Sequence, residues 1–104
     1  MVRTGDIQWE ANIQFSYLGH KHVAELRMGP FPDLEELMVW QFEFMDTLTS
    51  LCGDKKGLSY EIHEQRVQEI VKQEVFSLIL KKPSWLARSI VSNAIRELAS
   101  RVIP

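Results

Sequence analysis

Ile7-Gln8-Trp9-Glu10-Ala11-Asn12-Ile13-Gln14-Phe15-Ser16-Tyr17 is the stretch on which the fold turns. Apolar and polar residues alternate at every position, the period of two of a strand with one dry and one wet face. Leu18-Gly19-His20-Lys21 interrupts the pattern, which resumes from His22 to Met28. The chain therefore opens with an antiparallel β-hairpin over about 7–28. Gly19-His20 suits a two-residue turn with glycine in the first position. That turn sets Tyr17 opposite His22, Phe15 opposite Ala24, Ile13 opposite Leu26 and Ala11 opposite Met28, all on the dry face. Gly29-Pro30-Phe31-Pro32 should end the hairpin, because proline cannot donate to a ladder. A lone hairpin is marginal in water, so something must cover its dry face.

The remainder reads as three helices. The first is expected over about 34–52. Asp33 is placed as its N-cap, Glu36 follows three residues later, and Gly53 lies just past its end. Its apolar residues, from Leu34 through Met38, Trp40, Phe42 and Phe44 to Leu51, cover roughly 200° of the helix wheel. That arc is about twice what an outer helix of a small domain needs. The helix is therefore either central or also faces another chain. A polar link leads to a second expected helix, about 60–80, capped by Ser59 with a stripe of Tyr60, Val67, Ile70, Val71, Val75 and Leu78. Phe76 and Ile79 fall outside that stripe, as a third helix or a partner would require. Pro83 stops the second helix and Ser84 caps a third, about 85–102, whose stripe is Ala87, Ile90, Val91, Ala94, Leu98 and Val102.

With 104 residues the chain has room for one domain, 1–104, and one core. Its longest apolar runs, 37–40 and 78–80, are far too short to span a membrane. No signal peptide is visible. Cys52 is the only cysteine, which fits a reducing, cytoplasmic setting. The net charge of −2 conceals a split. Residues 1–79 hold 7 Lys or Arg against 13 Asp or Glu, and residues 80–104 hold 5 against 1. Such a split suits an acidic partner or nucleic acid. It also suits a basic last helix lying against an acidic first one.

The motifs of chemistry are absent or incomplete. His20-x-His22 has no third ligand nearby. His63-Glu64 begins like a zinc-protease helix, but Val67 stands where the second histidine is needed. No glycine loop precedes a helix, and no Gly-x-Ser-x-Gly elbow occurs. Glu36, Glu43 and Asp46 share a side of the first helix that reads as solvated. The expectation is a non-enzymatic protein without cofactor, metal, membrane or small-molecule substrate. It would serve protein–protein assembly, as a homo-oligomer or an adaptor. The hairpin edge and the wide face of the first helix would be its interface, with Trp9, Phe15, Tyr17, Trp40, Phe44, Phe76 and Ile79 as candidates. The alternative is nucleic-acid binding through Lys81, Lys82, Arg88, Arg96 and Arg101. Residues 85–98 resemble a helix-turn-helix segment, but the spacing is one residue short and Ile90 replaces the turn glycine, so one continuous helix reads better.

Overall fold

The computed structural model describes residues 5–53, 57–71 and 76–102. Its elements run β1 (Gly5–Tyr17), β2 (His20–Phe31), α1 (Leu34–Leu51), β3 (Leu58–Val71), β4 (Ser77–Lys81) and α2 (Trp85–Val102). The four strands form one antiparallel sheet in the order β3-β1-β2-β4. Both helices lie on one side of it. The expected hairpin followed by three helices is therefore overturned. The hairpin is the middle of a larger sheet, and the expected second helix is two edge strands. Lys72 and Val75 of that expected helix, like the polar link at 54–56, lie outside the described residues.

A phase slip explains why β3 resembles a helix in sequence. Ile13 pairs with Ile62 but Asn12 pairs with Glu64, so His63 is an extra residue in β3, a bulge. Before it, Leu58, Tyr60 and Ile62 share the helix-covered face with Tyr17, Phe15 and Ile13. After it that face takes odd positions, with Gln65 beside Ala11 and Val67 beside Trp9. The alternation is broken in the middle of the strand. What survives is a spacing of seven from Tyr60 to Val67, which mimics two helical turns.

The hairpin turn sits one residue earlier than expected. Leu18 and Gly19 form it, both with positive φ (51° and 81°), the geometry of a type I′ turn. Tyr17 therefore pairs with His20, and every pair shifts by two: Phe15 faces His22, Ile13 faces Ala24 and Ala11 faces Leu26. A shift of two keeps each side chain on its face, so the dry face survives the changed register. The second strand also runs past Met28. Trp9 pairs with Met28 and Ile7 with Phe31, so Gly29-Pro30 forms a bulge opposite Gln8 that takes up the proline. Gly29 is required there: a Cβ would lie 3.1 Å from both the Gln8 Cβ and the Ile7 carbonyl oxygen.

The core is the inner face of the sheet closed by two helix stripes. Trp9, Ile13, Phe15, Leu26, Met28 and Phe31 meet Leu37, Phe44 and Leu48 of α1 and Ala87, Val91, Ala94 and Leu98 of α2. The small alanines let α2 approach closely. Asp33 caps α1 by accepting from the Glu36 N–H at 2.8 Å. Ser84 caps α2 by accepting from the Ala87 N–H at 3.2 Å. Gly53 is not left-handed; α1 ends on an extended Cys52 whose N–H donates to the Leu48 carbonyl at 2.8 Å. The Tyr60 hydroxyl ties β3 to α1, donating to the Met45 carbonyl at 3.0 Å and lying 2.8 Å from Thr49 Oγ1.

Candidate functional site

Two surfaces stand out once the core is accounted for. The first is the uncovered face of the sheet. It holds an open cavity of about 420 Å³, with Glu10, Glu25, Arg27, Glu64, Arg66 and Lys81 around it. Its centre is Glu10 on β1, which accepts from Arg27 Nε of β2 at 3.1 Å and from Arg66 Nε of β3. Gln8 Nε2 adds a third bond at 3.0 Å. The hydrogen bond from Arg66 does most to hold the Glu10 carboxyl below its ordinary value. Burial pushes the other way, and the charges of Arg66 and Arg27 with the Arg27 hydrogen bond complete the lowering. Three acids and three bases line this cavity and its central charges are consumed by one another. It reads as a brace across three strands.

The second surface is the outward face of α1. Leu34, Met38 and Phe42 follow at four-residue spacing, with Val39 beside them, so they form one strip along the helix. They retain between 55% and 69% of their surface. With Glu35 and Glu43 they line a shallow groove. The inner side of the same helix carries the buried Leu37, Phe44, Thr47 and Leu48. The apolar arc is wide because the helix is apolar on both its inward and outward sides. Thr47 is satisfied within the helix, donating to the Glu43 carbonyl at 2.7 Å.

The expected interface residues separate on this frame. Trp9, Phe15 and Phe44 are fully buried and belong to the core; Trp9 meets Phe44 edge to face at 5.8 Å. As interface residues they are corrected, because a helix layer already covers the dry face of the hairpin. Tyr17 is half-buried at the end of the same face. Trp40 is half-buried and stacks on Phe76 at 5.1 Å, while Phe31 meets Phe76 edge-on at 5.6 Å. Phe76 thus fastens the start of β4 to α1 and stays 40% exposed. Ile79 points to the uncovered face of the sheet, beside Arg27. The hairpin edges are taken by β3 and β4. The residues missed by sequence reasoning are Leu34, Met38, Val39 and Phe42; the excess width of the apolar arc was the signal that contained Leu34, Met38 and Phe42, whereas Val39 fell among the polar residues of the opposite side.

The basic set does not form one surface. Lys81 sits on the uncovered face of the sheet opposite Glu25, and Lys82 follows it with φ of 45°. Arg88 and Arg96 are exposed along α2 on the other side of the sheet. Arg101 turns to α1, 3.5 Å from Glu43 and 3.8 Å from Asp46, and reaches Glu97 of its own helix at 3.9 Å. Part of the charge split is thus settled between the two helices.

Among the described residues, no group of three His, Cys, Asp or Glu is placed to hold a metal ion. His22 Nδ1 is bonded to Ser84 Oγ at 3.0 Å. Every buried side-chain nitrogen or oxygen among them has a hydrogen-bond partner. No helix there is long and apolar enough to cross a membrane. Set against protein-family models, curated proteins and solved structures, the chain matches none.

Proposed function

We propose that this chain is a protein-interaction module, without chemistry of its own, that assembles through the outward face of α1. One observation carries the reading: Leu34, Met38, Val39 and Phe42 form a contiguous apolar strip that the fold leaves in water. Scattered surface apolar residues are ordinary, but a strip of four large ones on one helix face marks an interaction site. The core beneath is complete without them, so folding does not explain their retention. Nucleic-acid binding draws less support, because Lys81 lies on one side of the sheet, Arg88 and Arg96 on the other, and Arg101 is engaged by acids.

The test uses the whole chain and the double variant Met38→Asp/Phe42→Asp. Solution mass is measured by light scattering across concentration, and amide shifts of α1 are followed while amphipathic helical peptides of either charge are added. The parent should associate above the 12.1 kDa chain mass or bind a peptide at α1. The variant should keep its melting temperature and do neither. A parent that stays monomeric and binds no peptide refutes the reading.

A further inference from the structure

We infer that the occupant of the α1 strip is a basic amphipathic helix from another protein, with apolar side chains on one face and Lys or Arg along its flanks. This rests on the reading of α1 as a docking face. The argument for the occupant is charge. From Asp33 to Leu51 the chain carries Asp33, Glu35, Glu36, Glu43 and Asp46 and no basic residue. Arg101 of α2 reaches Glu43 and Asp46. Glu35 and Glu36 have no ion pair among the described residues, and Glu35 lies in the groove wall itself, beside Leu34, Met38 and Val39.

These charges select against a second copy. A two-fold contact is self-complementary, so the same acidic surface would come from both sides. In an antiparallel pair centred near Val39, Glu35 of one copy approaches Glu43 of the other. In a parallel pair each acid meets its own counterpart. Either arrangement places like charges at the rim of an apolar contact; Arg101 of α2 offsets Glu43 and Asp46 in part, but Glu35 and Glu36 have no such partner among the described residues. A helix with basic flanks meets the same rim with opposite charge. The strip runs from Leu34 to Phe42, about 12 Å of helix axis. That length accepts apolar side chains at i, i+3 or i+4, and i+7 from a partner helix laid along the groove.

Two synthetic helical peptides make the test. Both carry leucine at those positions; one has lysine on its flanks and the other glutamate. Binding to the full chain is measured by calorimetry, mapped by amide shifts, and repeated from low to high salt. The lysine peptide should bind at α1 at least about tenfold more tightly than the glutamate peptide at low salt, with the gap closing as salt screens it. Glu35→Lys/Glu36→Lys should narrow or reverse the preference, and Met38→Asp/Phe42→Asp should abolish binding although it adds negative charge. Lysine-peptide binding that survives Met38→Asp/Phe42→Asp would be unspecific attraction and would overturn the inference. So would equal or tighter binding of the glutamate peptide. A dimer of the parent chain, broken by the same variant, would name a second copy as the occupant; the docking face would stand and the basic partner would fall. A monomer that binds neither peptide would remove both.

Discussion

Glu10 shows at a single residue how one carboxylate organises three strands. It sits on β1, one of the two inner strands, and holds Arg27 from one neighbour and Arg66 from the other. Because its folded pKa lies below the ordinary 4.5, this bracing is fully present above that value. It is lost as pH falls from the ordinary value through the lowered one. Glu10→Gln should therefore cost about 1 kcal/mol at neutral pH, a modest figure because both arginines are partly exposed and screened by solvent. It should also flatten the acid limb of the stability curve, seen in denaturant midpoints measured between neutral pH and pH 3. A variant that loses stability in acid as steeply as the parent would exclude Glu10 as the source. Ser84 is a second single-residue tie, since its Oγ accepts from the Ala87 N–H and is bonded to His22. Ser84→Ala should lower stability by about 1 kcal/mol in chemical denaturation. Both caps, Asp33 and Ser84, were legible in sequence because a cap depends on a few adjacent residues. Glu10 was not, because its partners lie 17 and 56 residues away.

Among the elements, legibility followed the regularity of the apolar period. β1 alternates without a break, and the stripes of α1 and α2 hold over 18 residues each, so these three could be read directly. β3 could not, because the bulge at His63 reverses its phase and its glutamates and glutamines are good helix formers. β4 has five residues, too few for any period to declare itself. The bulge makes an unusual prediction. Removing His63 should reconnect the two halves of β3 in phase, with Leu58, Tyr60 and Ile62 still facing the helices and Val67 still beside Trp9. The deletion should leave the fold intact and move the melting temperature by less than about 8 °C, equivalent to about 1 kcal/mol. In a helix the same deletion would rotate everything beyond it by about 100° and scramble the packing, so circular dichroism and a melt decide between the two. Tyr60→Phe tests how β3 is held to α1. It removes the hydroxyl bonded to the Met45 carbonyl and beside Thr49, and should cost about 1 kcal/mol without changing the fold.

At the scale of the molecule, a single sheet covered by helices on one side leaves two kinds of outer surface, and the chain treats them differently. The bare face of the sheet is polar and braced by Glu10, whereas the outward face of α1 is apolar with an acidic margin. That contrast was only half visible in sequence: the arc was plainly too wide, but which apolar residues were surplus depended on where the sheet lay. Phe42 and Phe44 concentrate the distinction, being two positions apart on one helix with opposite duties. Phe44 is fully buried against Trp9, whereas Phe42 is 69% exposed. Phe44→Ala should cost about 3–5 kcal/mol and leave the outward strip unchanged in composition. Phe42→Asp should alter stability by no more than about 0.5 kcal/mol, because no core contact is lost, yet it should remove association at α1. Thermal unfolding and the peptide titration, run on both variants, give a crossed pattern if the two sides of α1 serve folding and binding separately. A large stability loss in Phe42→Asp would instead mean that the strip supports the fold, and the reason for treating it as a docking face would be gone.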